Sequence, residues 1–198
     1  MRGFLLSLLV GVSLSAYNTD DLKKAMEDKE CIGCDLRGAN LSKMDFSGGD
    51  FHGSDLSGAS LQESLFEMVD FNDCNLSGAN AQKALFWKGT MKRSDLTHIH
   101  ARGANFKGAH LEQSNLSFAD LRETKSWKAN FTDALLFKTD FTNAELGDSQ
   151  FIRNDLRTVK FKKSLLWQTH FKDVVMTKKE CAHAKKEEAL LDSNVICR

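Results

Sequence analysis

Five cysteines and six histidines are the residues of this chain best suited to chemistry, and their spacing limits what each can do. Cys31 and Cys34 form a Cys-x-x-Cys pair, which in a reducing compartment reads as a redox couple or as half of a zinc site. A redox pair of this kind normally precedes a helix in a βαβ unit, and a zinc site needs two more ligands close by. No second Cys-x-x-Cys follows, and Cys74, Cys181 and Cys197 stand far apart in the chain. His98-x-His100 has the spacing of a weak metal clamp, although its setting favours a solvated corner. No nucleophile sits beside a base, and there is no phosphate loop. The aspartates recur at a fixed interval, so their number is not a sign of acid–base work. The expectation is a protein that is not an enzyme and carries no cofactor and no catalytic metal.

That fixed interval is the main feature of the sequence. Stepping by five from Leu36 to Met176 visits 29 positions, of which 24 are Leu or Phe, and the frame never slips. Two residues before each large residue a small one is preferred, as at Ala39, Ala59, Ala79, Ala104, Ala109, Ala119 and Ala144. The residue immediately before is often Asp or Asn, as at Asp35, Asn40, Asp45, Asp50 and Asp55. A period of five fits neither an α-helix nor a flat strand. It fits a square coil in which each pentapeptide makes one side, with the large centre and the small residue two before it pointing inward. Proline is absent throughout, as a long ladder that uses every backbone N–H requires.

The segments CDLRGANLSKMDF and SDLSGASL resemble the A-(D/N)-L-x-x signature of the pentapeptide-repeat family, and the resemblance covers about three quarters of the chain. It implies an all-β solenoid, a right-handed quadrilateral β-helix with four pentapeptides per coil. The sequence tests that coil length separately, because centres twenty residues apart should then stack. Side one reads Leu36, Leu56, Leu76, Leu96, Leu116, Leu136, Leu156 and Met176. Side three begins Phe46, Phe66, Phe86, Phe106; side four begins Phe51, Phe71 and ends Phe131, Phe151, Phe171. Where side two shrinks to Ala81 and Ala101, Ile99 supplies bulk in a normally small slot. About seven coils at ~4.8 Å give a rod on the order of 34 Å long.

Open solenoid ends need covers. Residues 17–30 carry Leu22, Ala25 and Met26 at helical spacing behind an Asn18 or Thr19 cap, which predicts an N-terminal capping helix. Residues 31–178 are the β-helix. Thr177-x-x-Glu180 is a capping-box pattern, which predicts a capping helix to about Leu191 within a C-terminal segment of 179–198. Residues 1–16 read as a signal peptide: Arg2, an apolar run from Phe4 to Leu14, then Ser15 and Ala16. That run is short of the ~20 residues of a membrane span, and no later segment is apolar enough to be one. The expected location is therefore exported, periplasmic or secreted, where structural disulfides are favoured. On a rod, Cys31 and Cys34 lie at one end and Cys181 and Cys197 near the other. Disulfides within each pair are expected, with Cys74 a buried thiol. His52, His110 and His170 share side four but lie three coils apart, roughly 14 Å, too far to hold one metal.

Net charge is zero, yet it is unevenly spread: residues 17–80 carry −8 and residues 81–198 carry +7. The outward residues best suited by type to engage a partner are Trp87, Trp127 and Trp167, each one position after a centre of side three. They should lie in line, roughly 9.6 Å apart. Leu65, Met68, Leu85 and Leu165 fall on the same side, with Lys107 and Lys125 between the tryptophans. A contiguous exposed apolar stripe marks an interaction surface. Self-association or an envelope protein is the expected use, with a glycan stacking on the rings as the alternative, or else the rings simply cover a loose coil.

Three functions compete. The first is a non-enzymatic exported binding or scaffold protein acting through flat outer faces. The second comes from the family resemblance: some members mimic duplex DNA, bind topoisomerase and confer quinolone resistance. That role needs an anionic rod and a cytoplasmic address, and the basic second half and the signal peptide argue against it; no nucleic-acid partner is expected. The third is a purely structural envelope solenoid.

Overall fold

The computed structural model describes residues 17–198; residues 1–16, where the signal peptide is expected, lie outside the described residues. From Glu30 onward, the backbone pairs in parallel with itself twenty residues later, as in Glu30↔Asp50, Asp35↔Asp55, Asn40↔Ser60 and Asp45↔Leu65. Four such bridges per turn of chain define four sides. The chain between bridges turns a corner each time, so most of the ladder consists of single-residue bridges.

Each part of the pentapeptide has a structural task. The N–H of the small residue donates to the C=O of the preceding centre, as Ala39 does to Leu36 (3.0 Å), and this closes a corner. The position two after nearly every centre has positive φ, as at Gly38 (66°) and Lys43 (60°), which is why glycine recurs there; Thr158 is an exception. The Asp or Asn before a centre accepts the N–H two residues on, as Asp50 does from His52 (3.0 Å) and Asp55 from Ser57 (2.9 Å). The recurrent aspartates are therefore corner braces.

Inside, the centres stack on their own kind. Phe46, Phe66, Phe86 and Phe106 stack at 4.9–5.4 Å between ring centroids on side three. Phe131, Phe151 and Phe171 stack at 4.8 and 5.3 Å on side four. On side three the run then drops to Ser126, while on side two Phe141 and Phe161 stack at 5.7 Å. The aromatic load thus changes sides along the rod and keeps the core filled. In several small slots that hold a polar residue the donor reaches the carbonyl of the coil below, as Ser64 does to Leu41 (2.6 Å), Ser94 to Phe71 (2.6 Å) and Thr139 to Leu116 (2.8 Å); in others it turns to the preceding centre of its own coil, as Ser114 does to Leu111 (2.7 Å) and Ser164 to Phe161 (2.7 Å). Ser149 is the exception, its buried hydroxyl having no partner among the described residues.

At the N-terminal end, α1 (Thr19–Asp28) starts from Asn18, whose side chain accepts from Asp20 and Asp21, and it buries Ala25 in the core. Short strands follow late in the chain: β1 (Gln150–Ile152), β2 (His170–Lys172) and β3 (Val175–Met176). Helix α2 (Lys178–Lys186) begins at Thr177, which accepts from Glu180 N–H. The helix does not continue to Leu191. It ends at Lys186, and Glu188 turns the chain with φ 59°. Leu190–Leu191 (β4) then pairs with β2 at the same twenty-residue offset, and Ile196–Cys197 (β5) pairs with β3. Apolar Leu190, Leu191, Val195 and Ile196 favour a return to the ladder over a longer helix. Thus α2 stands where two sides of a further coil would run, with Cys181 and Ala184 buried against the core.

Candidate functional site

Each cysteine pair is bridged. Cys31 and Cys34 lie 5.3 Å apart at Cα, and Cys181 and Cys197 lie 6.0 Å apart. The second bridge ties α2 to β5 and so holds the returning tail. Cys74 is a buried free thiol that donates to Phe51 C=O (2.9 Å), in the slot serine fills elsewhere. Burial pushes its pKa up to about 12, which keeps it protonated and unreactive.

The histidines are dispersed. On side four, His52 is 3.8 Å from Asp73, His110 is 3.0 Å from Glu112, and His170 is 3.3 Å from Asp192. Among the described residues no three His, Cys, Asp or Glu side chains converge in a metal-binding group.

Side three carries the tryptophans in line, but contact joins only two of them. Trp127 leans over Gly147, its Nε1 donates to Glu145 (3.1 Å), and its ring lies 6.3 Å from that of Trp167. This is closer than two coil spacings, because Gly147 leaves room for the ring. Trp167 is 48 % exposed and has exposed Leu165 beside it. Trp87 is separate: it is half-buried, with the Lys88 ammonium 4.6 Å from its ring centroid. Leu65 and Leu85 bridge to each other near it, and Met68 donates its N–H to Trp87 C=O (2.8 Å). Exposed Lys107 and Lys125 divide these two apolar patches. A surface cavity of about 490 Å³ opens between them, lined by Lys107, Lys125, Trp127, Lys128, Glu145 and Asp148.

Side one holds a second constellation that sequence reasoning missed. His98 stacks on Phe118 (4.8 Å), Phe118 meets Phe137 edge-on (5.3 Å), and the Lys138 ammonium lies 5.5 and 5.3 Å from the two Phe ring centroids. Phe118 and Phe137 occupy outward positions, so aromatic residues at those positions were the available signal. Beside them is a cavity of about 640 Å³, lined among others by Leu135, Leu136, Phe137 and the ion pairs Arg153–Asp133 and Arg157–Asp155. Hydrogen bonds from the arginines hold both aspartates below the usual carboxylate range. Here the side-one ladder is interrupted: Asn115↔Leu135 and Asp155↔Val175 pair, but Leu135 and Asp155 do not. Asn154 occupies the small slot at this point. One heavy atom longer than serine, its Nδ2 reaches both Phe131 C=O (2.8 Å) and Ala134 C=O (2.9 Å), and its buried Oδ1 has no partner among the described residues.

A family model described as Pentapeptide repeats matches in eight copies, over residues 30–62, 54–86, 91–125 and 129–168. No curated protein matches the chain. Among solved structures, a trypsin-treated form of QnrB1, a plasmid-mediated fluoroquinolone resistance protein, is 18 % identical; 83 % of this chain and 89 % of that one are covered, with a TM-score of 0.45. HetL, involved in heterocyst differentiation regulation in the cyanobacterium Nostoc sp. strain PCC 7120, is 18 % identical over 85 % and 81 % of the two chains, with a TM-score of 0.30. Rfr23 from the cyanobacterium Cyanothece 51142 is 15 % identical over 91 % and 99 %, with a TM-score of 0.35.

Proposed function

Because the chain belongs to the pentapeptide-repeat family, whose fold is the right-handed β-helix solenoid, we propose that it is a non-enzymatic binding or scaffold protein whose side three joins two copies. The observation that carries this reading is the Trp127–Trp167 pair, 6.3 Å apart, with Trp167 and Leu165 about half exposed beside it. Paired aromatics on a flat face supply the large, rigid area from which interfaces draw their energy. A second copy is the partner that best fits the surrounding charge. Lys107 lies on the coil before Trp127, Lys125 and Lys128 on its own coil, and Glu145 and Asp148 on the coil after it. A two-fold contact would set the lysines of one copy against the acids of the next.

The rest of the reading is architectural. About seven coils make the rod, α1 and α2 cap its ends, and the caps keep the open edges from pairing with other chains. Export of the mature protein is supported by the apolar N-terminal segment and by two cysteine pairs at bonding distance. No helix among the described residues is long and apolar enough to cross a membrane.

Sedimentation velocity tests the interface. The protein should sediment as a dimer at micromolar concentration, and Trp127→Ala with Trp167→Ala should return it to a monomer with the same far-UV spectrum. A parent that is monomeric at every accessible concentration overturns the reading.

A further inference from the structure

Along the rod the arginines are held by carboxylates: Arg37, Arg93, Arg102, Arg122, Arg153 and Arg157 each pair with an Asp or Glu. Free positive charge therefore rests on lysine, and α2 at the C-terminal end gathers four lysines on one face. At roughly 100° per residue, Lys178, Lys179, Ala182, Lys185 and Lys186 fall within an arc of about 120°. All five are exposed, whereas Glu180, Cys181 and Ala184 on the other side of the helix are buried. Among the described residues, only Lys179 of the four has a carboxylate in reach, that of Glu180 at 3.8 Å.

The other acids of this terminal coil are engaged or lie beyond the helix. Asp192 faces His170 (3.3 Å), Asp173 accepts from Asn194 (2.8 Å), and Glu187 and Glu188 follow the last helical residue. Exposed Lys162 and Lys163 on side two lie one coil below α2. His183 Nε2 donates to Ser164 C=O (3.1 Å) and fastens the helix to that coil. The same end of the rod also exposes apolar side chains: Leu190 in β4 is 46 % exposed and Ile196 in β5 is 50 % exposed. Because the Cys181–Cys197 bridge ties α2 to β5, the lysines and these apolar residues form one unit.

We propose that the C-terminal end of the rod docks on an anionic lipid bilayer, with Lys178, Lys179, Lys185 and Lys186 against the headgroup phosphates and Leu190 and Ile196 entering the interface at the rim. Four ammonium groups spread over two helical turns suit many anions on a plane. They form no rigid fork that would read one particular phosphate. Apolar residues beside lysines suit a surface whose charged heads overlie hydrocarbon. A nucleic acid would match the lysines but leave Leu190 and Ile196 in water. Ala182, between the two lysine pairs, adds no bulk that would hold a flat surface away. The docking face uses none of the residues of side three and stands independently of dimer formation.

The test uses residues 17–198, which hold the whole solenoid and both helices and lack the apolar N-terminal run that could itself enter lipid. Co-sedimentation with vesicles of phosphatidylcholine containing about 30 % phosphatidylglycerol should show saturable binding. Vesicles of phosphatidylcholine alone should bind at least tenfold more weakly, and raising NaCl from ~0.1 to ~0.5 M should weaken binding to the anionic vesicles as much. Lys178→Gln, Lys179→Gln, Lys185→Gln and Lys186→Gln together should cost at least tenfold in affinity with an unchanged far-UV spectrum, since all four side chains are exposed. Leu190→Ser with Ile196→Ser should weaken binding about threefold. Four exposed lysines changed elsewhere, Lys23→Gln, Lys24→Gln, Lys43→Gln and Lys83→Gln, should leave it within about twofold of the parent, which separates the α2 face from net charge. Equal binding to neutral vesicles, undiminished binding by the α2 variant, or retention on heparin with none on vesicles would overturn the proposal.

Discussion

Trp127 lies so closely over Gly147 that a Cβ added there would sit 2.4 Å from Cζ3 of the indole. Gly147 has no need of an unusual backbone angle, so its role is to leave space for the ring. Gly147→Ala should therefore lift Trp127 away from Trp167 and expose it. The expected result is a red-shifted tryptophan emission and a stability loss of about 1 kcal/mol, near the lower end for overpacking because the ring can swing into solvent. Equilibrium denaturation followed by fluorescence checks both. An unchanged spectrum would mean that the pair does not hold in solution.

Leu96 and Thr97 are neighbours with opposite orientations. Leu96 is fully buried in the side-one ladder, while Thr97 is half-buried and its N–H rests on Asp95 Oδ1 (2.9 Å). Leu96→Asp places an unpaired charge among leucines and should leave the protein unfolded or aggregated. Thr97→Asp should change stability by no more than about 0.5 kcal/mol, as surface substitutions usually do. Thermal melts of the two variants decide it, and equal damage would contradict the inward and outward assignment.

The solenoid was legible in the sequence because a large inward residue every five positions leaves a mark that no other element makes. The line of tryptophans was legible for the same reason, but the contact between two of them was not. It depends on Gly147, a small residue at an outward position where size follows no rule. The slot on side one was hidden differently. Asn154 precedes Asp155, and Asn and Asp are common one position later as corner braces, so nothing marked Asn154 as inward and too long. The tail was misjudged because α2 replaces two sides and the pairing offset grows from twenty residues at Leu190 to 21 at Ile196. A fixed ruler cannot see such a detour.

The Cys181–Cys197 bridge closes a segment of 16 residues that contains the end of α2 and β4. By the chain-entropy estimate a loop of that size stabilises by about 3 kcal/mol, and the shorter Cys31–Cys34 loop by less. Cys181→Ser with Cys197→Ser should therefore cost about 2–3 kcal/mol, and the β4 and β5 amides should lose protection before the rest of the ladder. Hydrogen exchange by mass spectrometry resolves this. Uniform loss of protection along the rod would mean that the tail is not a separable unit.

Cys74 makes stability depend on pH at the alkaline end. An unfolded thiol titrates near ~8.5, whereas burial raises the folded value to about 12. The folded state therefore holds its proton more tightly. The stabilisation is complete below the unfolded value and is lost as pH rises from about 8.5 towards the folded value, at up to ~1.4 kcal/mol per pH unit. Cys74→Ala removes this dependence along with the thiol's bond to Phe51 C=O. The parent should accordingly lose about 2 kcal/mol more than the alanine variant between roughly pH 8.5 and 10.5 in urea titrations. The native thiol should also resist iodoacetamide at pH 8 and react once unfolded. Parallel pH profiles for the two proteins, or rapid alkylation in the native state, would show that Cys74 is not sealed in its slot.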